Sequence, residues 1–256
     1  MVKDSLHFKF NNRSSFEFGV VNASMSDGLY KESIIGNRSV YDSYHNGKYY
    51  FYRVEKDPIN FDLFLYLDPT LSKKEFETKL EEIAVWLDVD TYKPLIFESN
   101  TSRIYYAMPY GEVELIHNGN GQGYIWVPMR CDSSYCYSPY YGTGFIRIDG
   151  EKIYEINNLG RIDISPEMHI KKIGDGDLKI TNLSNAKNSL TLRNLVDKEK
   201  VKIHKSGSLE AEDYMKFYDD GYMNRNIKLP YGKNRILIQG DCYISFLYRY
   251  MFYHNG

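Results

Sequence analysis

Apolar residues recur at every second position in many short stretches of this chain, whereas helical spacing is strong in only one segment. In the clearest stretch, the residues that share one face are Phe61, Leu63, Leu65 and Leu67. A period of two is typical of an extended strand, because successive side chains point to opposite faces. After residue 144, roughly ten such runs alternate with turn residues, a spacing typical of an antiparallel sandwich. The sequence therefore predicts a mainly β protein.

The residue types favour the same fold class. The chain contains 25 Tyr and 13 Phe, whereas alanine occurs only at positions 23, 84, 107, 186 and 211. Aromatic side chains suit the pleated, half-buried surface of a sheet, and alanine is the best helix former. A chain rich in the first and poor in the second favours strands over helices.

One amphipathic helix is predicted over residues 72–89. Ser72 and Glu75 have the spacing of a capping box, in which the hydroxyl and the carboxylate each bind a free backbone N–H group. The apolar stripe that follows consists of Phe76, Leu80, Ile83 and Leu87. This stripe has helical spacing and lies beside Trp86, so we expect the helix to pack on a sheet with Trp86 as a structural residue.

Two domains are expected. The segment Ser138–Gly144 is rich in Ser, Pro and Gly, which is typical of a turn or a linker. We place an N-terminal β-sandwich-type domain with the helix at residues 1–138 and a C-terminal antiparallel β-sandwich at residues 139–256. A hairpin turn would give the same pattern, and the final strand, 243–252, is the segment that could instead pack on the N-terminal domain.

Two further segments have less regular patterns. Two extended runs are expected at the start of the chain, with Leu6, Phe8 and Phe10 on one face of the first and Phe16, Phe18 and Val20 on one face of the second. Residues 210–219 are a candidate for a second, short helix.

The charge balance argues against several classes of partner. The net charge is −2, with 32 basic and 34 acidic residues, and the isoelectric point is about 6.3. Direct nucleic acid binders usually carry a basic stripe and a high isoelectric point, so no nucleic acid contact is expected. The start has no secretory signal, and no apolar run approaches the ~18 residues of a membrane span. We therefore expect no membrane insertion, and synthesis in the cytoplasm with reduced thiols.

The residues that could carry chemistry do not form a recognisable site. Cys131 and Cys136 are a pair without the further ligands that zinc requires, so they are predicted to be packed or exposed thiols, with a disulfide as the alternative in oxidising surroundings. Gly174–Asp177 is predicted to be a β-turn, because the regular oxygen ligands of a calcium loop are missing. The six histidines are single residues in strands or loops. No catalytic residue, cofactor or metal is predicted.

The surplus of aromatic residues suggests an interface. Most of these rings are expected in the core, but the cluster Tyr135, Tyr137, Tyr140 and Tyr141 is hard to bury entirely. Exposed aromatic side chains can anchor protein interfaces or stack on sugar rings. We therefore treat these four tyrosines as interface candidates, and the alternative function is that of a non-enzymatic carbohydrate-binding β-sandwich protein.

Several segments together resemble the distal tail proteins of long-tailed siphophages, which also occur in prophage tail clusters. The opening Phe10–Val21 is similar to that family's N-terminal strand pair, and Ile35–Arg38 to its short Pro-Gly-Arg-type turn, although the proline is absent here. The most specific similarity is the succession Phe61–Leu67, Ile83–Leu87, Pro94–Phe97 and Ile104–Met108. Later segments that also match are Val127–Asp132, Tyr137–Pro139, Gly174–Asn182, Leu229–Ile238 and Ile244–Tyr250.

This resemblance implies a structural role in a virion. It implies an N-terminal domain that builds a hexameric ring and a galectin-like C-terminal sandwich. The ring would lie at the virion tail tip, where it would join the tail tube protein to the tail hub (tail-associated) protein and to receptor-binding proteins. The resemblance implies no enzyme activity and no cofactor, and the protein would be made in the host bacterial cytoplasm.

Overall fold

A computed structural model of the chain describes residues 5–23, 37–67, 70–119, 123–185, 188–213, 215, 217 and 226–253. The described residues up to Tyr137, together with Phe252 and Tyr253, form one compact unit, and Ser138–Met251 forms a second. The described residues contain one α-helix and several antiparallel sheets. The mainly β fold with one helix, expected from the sequence, is confirmed.

The first unit is built from short strands and one long hairpin. In chain order its strands are β1 (Phe8–Phe10), β2 (Arg13–Ser14), β3 (Val20–Asn22), β4 (Arg38–His45), β5 (Lys48–Lys56), β6 (Asn60–Leu67), β7 (Lys93–Phe97), β8 (Tyr105–Pro109), β9 (Glu114–His117), β10 (Gly123–Cys131) and β11 (Cys136–Tyr137). Eight of them form one sheet in the order β2-β1-β7-β8-β10-β6-β3, with β9 beside β10. The hairpin β4–β5 is a separate two-stranded sheet.

The helix α1 (Lys73–Leu87) covers the apolar face of the large sheet. Strand β6 alternates buried and solvent-facing residues as its sequence predicts, because one face of the sheet is closed. On the helix, Ile83, Trp86 and Leu87 are buried. The capping box is present: the hydroxyl of Ser72 accepts from the backbone of Glu75 at 3.4 Å, and the Glu75 carboxylate accepts from the backbone of Ser72 at 2.9 Å.

The second unit consists of two antiparallel sheets. Its strands are β12 (Tyr141–Gly142), β13 (Ile146–Ile148), β14 (Glu151–Asn158), β15 (Glu167–Lys172), β16 (Gly176–Asn182), β17 (Ser189–Leu195), β18 (Lys200–Ile203), β19 (Leu209–Ala211), β20 (Gly232–Gln239) and β21 (Cys242–Tyr248). The last described strand, β22 (Met251–Phe252), belongs to neither sheet. The larger sheet has the order β12-β21-β15-β18-β19 with β13 beside β21, and the smaller has the order β14-β20-β16-β17. Tyr154 and Phe246 stack their rings 6.1 Å apart between the two sheets.

The structure corrects the prediction for the second extended run near the N-terminus. Ser15–Phe18 is a short 3-10 helix, and Phe16 is exposed instead of sharing a buried face with Phe18. The reason is local: the Glu17 carboxylate accepts from the backbone N–H of Ser14 at 2.9 Å, which closes a capping box that alternation alone does not reveal. Leu6 is also exposed, although it was expected beside Phe8 and Phe10.

Smaller differences lie in the second unit. Two of the short runs expected to be strands after residue 144, at 161–164 and 227–229, form only a single bridge between Ile164 and Leu229. The predicted final strand is interrupted at residues 249 and 250, and β21 pairs with β12, β13 and β15.

The turn predicted at Ile35–Arg38 lies mainly outside the described residues. Of the candidate helix at 210–219, the structure describes residues 210–213, 215 and 217. Residues 210 and 211, where the helix was expected to start, belong to the strand β19. Among the described residues, no helix is long and apolar enough to cross a bilayer.

Candidate functional site

The hairpin β4–β5 exposes far more aromatic surface than any other element described in the first unit. Every residue of β5 is exposed, and so are most residues of β4. The exposed fraction reaches 75% for Tyr49 and 65% for Phe51. Contiguous apolar surface of this kind marks interaction sites in proteins.

Aromatic side chains occupy both faces of the hairpin. Tyr44 and Tyr49 are directly opposite each other, with ring centroids 4.8 Å apart. Tyr50 is opposite Ser43, and the Ser43 hydroxyl lies 2.9 Å from the hydroxyl of Tyr52. Since side chains alternate between faces along a strand, each face of the hairpin carries both aromatic and polar residues.

The turn of the hairpin fixes its register. His45 pairs with Lys48 across Asn46 and Gly47, whose φ angles are 50° and 78°. Two left-handed residues make a type I′ turn, which matches the right-handed twist of a hairpin and favours Asn-Gly. The local sequence therefore specifies a tight hairpin even though no other strand covers it.

The base of the hairpin is attached to the first unit through Lys56. The Lys56 ammonium donates a hydrogen bond to the hydroxyl of Tyr135 and lies 5.6 Å from the ring centroid of Tyr253. Asp57 also donates a backbone hydrogen bond of 3.0 Å to Asn37. These contacts hold the root of the hairpin, while its aromatic part lies beyond them.

A second surface feature of the first unit is an apolar groove of about 480 Å³ beside the helix. Its walls include Leu80, Ala84, Leu87, Val113, Leu115 and Ile125. The one charged residue that lines it is Asp88. The groove is therefore apolar inside, with a carboxylate at its edge.

The four tyrosines predicted as interface candidates do not form one cluster in either unit. Tyr135 is half-buried and contacts Tyr253 at 5.6 Å, and Tyr137 is buried against Tyr106 at 5.8 Å. In the second unit Tyr140 and Tyr141 are exposed. That these four tyrosines lie in an interface stays a prediction. Within the first unit, Tyr135 is the one that contacts Lys56 at the base of the hairpin.

Trp86 lies in the core of the first unit. It is 3% exposed, and its ring stacks on Phe18 at 4.2 Å and on Phe8 at 5.8 Å. Its indole N–H donates to the backbone carbonyl of Phe10 at 3.0 Å. The helix is thereby joined to β1 by both packing and a buried hydrogen bond.

Sequence reasoning missed the hairpin as a site, although its signals are present. The run Tyr49–Tyr52 has aromatic residues on both faces, which suggests burial on both sides of a strand. The dipeptide Asn46-Gly47 before it is the strongest short-range signal for a hairpin. A hairpin with exposed aromatic residues on both faces needs cover from outside its own two strands.

The cysteines, like the other titratable residues, have structural positions. Cys131, Cys136 and Cys242 are free thiols and are buried. Burial raises the pKa of Cys136 to about 11, so its thiol is protonated near neutral pH. Among the described residues, no group of three or more His, Cys, Asp or Glu side chains is placed to hold a metal ion.

Comparisons with known proteins agree with a phage origin. A family model described as the N-terminal domain of phage tail proteins matches residues 3–133. The SPbeta prophage-derived protein YomH of Bacillus subtilis (strain 168) is 34% identical in an alignment that covers 98% of this chain and 100% of that protein.

A solved structure has the same fold. The Dit protein (gp 19.1) of phage SPP1, described as a paradigm of the hub adsorption apparatus in phages that infect Gram-positive bacteria, superposes with a TM-score of 0.68. The match covers 95% of this chain and 98% of that chain at 13% identity, so the likeness concerns the fold. Together with the family match, it confirms the resemblance to distal tail proteins. The chain therefore belongs to the phage tail protein family.

Proposed function

We propose that this protein is a structural component of the tail tip of a long-tailed phage or prophage. Six copies form a ring that joins the tail tube protein to the tail hub protein and to receptor-binding proteins. The observation that carries the proposal is the exposed aromatic hairpin β4–β5 in a chain of the phage tail family. The virion tail tip as location, the absence of catalysis and a galectin-like second unit are part of the same proposal.

The hairpin requires a partner on physical grounds. An isolated two-stranded hairpin is at best marginally stable in water, and in this one the aromatic side chains remain between 44% and 75% exposed within their own chain. Tyr and Phe are enriched at protein interfaces, where a few buried aromatic side chains supply most of the binding energy. Contact with another chain would bury Tyr49 and Phe51 and fix the hairpin.

A second copy of this chain is the partner we propose. A ring is closed by one repeated interface between two different surfaces of each subunit. The hairpin is one such surface, and the apolar groove beside α1 is the other. A strand of nine residues such as β5 extends about 30 Å at ~3.4 Å per residue, which is long enough to reach a neighbouring subunit.

The charges of the two surfaces are complementary. The hairpin strands carry Arg38, Lys48, Arg53 and Lys56 against Asp42 and Glu55. The groove is lined by Asp88, and the exposed Glu81 and Glu112 are adjacent in sequence to lining residues. An excess of positive charge on one surface and of negative charge on the other favours this pairing and disfavours hairpin–hairpin contact.

The experiment that tests the proposal is the solution mass of groove variants. The wild-type chain is expected to give about six times its 30.0 kDa mass by light scattering, or dissociating fractions of that ring. Ala84 is exposed and lines the groove, so Ala84→Trp fills the groove without entering the core and should yield monomers. Val85 is exposed on the same helix and does not line the groove, so Val85→Arg is the matched control and should still assemble.

Two results would contradict the proposal. One is a wild-type chain that stays monomeric at high concentration and is instead retained on a polysaccharide column, as the alternative carbohydrate-binding function requires. The other is full assembly of Ala84→Trp, which would remove the groove from the interface.

A further inference from the structure

The larger sheet of the second unit carries a cleft of about 700 Å³ on its solvent side. The cleft is lined by polar and apolar residues of β15, β18 and β19 and by the phenyl ring of Phe145. The inward residues Met168 and Ile203 of the same two strands are buried and do not line the cleft. The outward positions are therefore free of a packing role, and their side chains must be explained in another way.

Two lysines in this cleft face each other without compensation. Lys171 is directly opposite Lys200 in the β15–β18 pair, and like charges at opposed positions destabilise a sheet. The neighbouring Lys202 differs, because its ammonium lies 3.3 Å from the Glu167 carboxylate. Within the part of the chain that the structure describes, neither Lys171 nor Lys200 forms an ion pair.

The basic character continues across two more strands. Tyr243 of β21 is opposite Lys171, and Arg147 of β13 is opposite Tyr243. Arg147, Tyr243, Lys171 and Lys200 thus form one row across four adjacent strands. Since neighbouring strands lie about 4.8 Å apart, the two ammonium groups can reach one anionic group together.

The supporting residues are held in place. The Glu167 carboxylate lies 2.7 Å from Nε2 of His169. Burial acts to raise the pKa of Glu167, but hydrogen bonds from His169 and Lys202 outweigh it and lower that pKa. Glu167 therefore remains ionised and fixes both neighbours at the side of the cleft.

Phe145 and two carboxylates define what kind of anion fits. Phe145 is 65% exposed at the cleft, so it offers an apolar ring face beside the cations. Glu210 and Glu212 line the β19 side, where they can accept hydrogen bonds from hydroxyl groups but repel further negative charge. Such a cleft suits a ligand that combines anionic groups with many hydroxyls, and disfavours a polyanion that has no hydroxyl groups.

We propose that this cleft binds an acidic glycan. Its anionic group, a carboxylate or a phosphodiester, lies between Lys171 and Lys200, where charge-assisted hydrogen bonds form. A sugar ring packs on Phe145, and hydroxyl groups donate to Glu210 and Glu212. This site is separate from the ring-forming hairpin and does not depend on it.

The test is calorimetric titration of the full-length chain with four probes. Oligogalacturonate supplies sugar carboxylates, and an oligosaccharide linked by phosphodiesters supplies sugar phosphates. Maltohexaose lacks charge, and inorganic polyphosphate lacks sugar. We expect binding of one or both acidic glycans, with the carboxylate or phosphate source identified by which one binds, and weaker binding of the other two probes.

Variants connect the binding to the cleft. Lys171→Gln with Lys200→Gln, and separately Phe145→Ser, should each weaken glycan binding by about tenfold or more, while the oligomer mass stays unchanged. The control is Lys152→Gln with Lys179→Gln, which removes the same charge from exposed positions on the smaller sheet and should leave binding unchanged. The proposal is overturned if neither acidic glycan binds, if maltohexaose or polyphosphate binds equally well, or if the control weakens binding as much as the cleft variants.

Discussion

The indole N–H of Trp86 donates a buried hydrogen bond of 3.0 Å to the backbone carbonyl of Phe10. This bond joins the helix α1 to β1 at the centre of the first unit. The same indole stacks on Phe18, so one side chain connects the helix, the first strand and the 3-10 turn that follows it.

Replacing this side chain should damage the first unit. Trp86→Ala removes a buried ring and leaves a cavity, which typically costs ~3–5 kcal/mol of the free energy of unfolding. We expect a large loss of stability in urea unfolding and loss of the oligomer. Trp86→Phe keeps an aromatic ring and should lose less, and Val85→Ala at an exposed position of the same helix should change the stability by less than about 0.5 kcal/mol. A Trp86→Ala chain that forms the full ring would contradict this assignment.

The second unit should fold as a separate domain. Ser138 accepts a hydrogen bond from the backbone of Tyr250 at 2.9 Å, and its own backbone N–H donates to Tyr250 at 3.0 Å. A fragment of residues 138–251 keeps these bonds, so we expect a monomer with a cooperative thermal transition by circular dichroism. A fragment of residues 143–251 loses them together with β12 and should melt at a lower temperature. An unfolded 138–251 fragment would show that the two units share one core.

The buried thiols give a pH-dependent prediction. Burial raises the pKa of both Cys136 and Cys242 to about 11, whereas an unfolded cysteine has a pKa of about 8.5. The folded chain therefore keeps these protons over a range where the unfolded chain loses them. Their contribution to stability is complete below about pH 8.5 and falls as the pH rises toward 11.

Thiol labelling and unfolding measurements check this behaviour. At pH 8 a disulfide reagent should label the native chain slowly and all three cysteines quickly in denaturant. The loss of stability between pH 8.5 and 11 should be smaller in Cys136→Ala with Cys242→Ala. Rapid labelling of the native wild-type chain would mean that these thiols are accessible.

The periods of strands and helices could be predicted from the sequence where their apolar faces are buried by other parts of the same chain. Phe61–Leu67 and the helix at 73–87 follow their sequence patterns because each has one face buried within the first unit. The 3-10 turn at Ser15–Phe18 was not predictable from alternation, since its capping hydrogen bonds override the period of two.

The candidate site was harder to predict for a different reason. The aromatic residues near the linker were chosen because their density is hard to bury, but Tyr137 is buried against Tyr106 in the first unit. In the hairpin, the run Tyr49–Tyr52 looks like a core strand. Whether such a strand is buried by its own chain or by another depends on tertiary structure, which local periodicity does not encode.

The most direct test of the account is the solution mass of a hairpin variant. Tyr49→Ser with Phe51→Ser removes two of the most exposed aromatic side chains and no core contact, so the fold should remain and the ring should not form. Phe16→Ser, at an equally exposed aromatic position outside the hairpin, is the control. Light scattering should give about 30 kDa for the double variant and about six times that mass for the wild type and the control. A double variant that still assembles into the full ring would contradict the central claim.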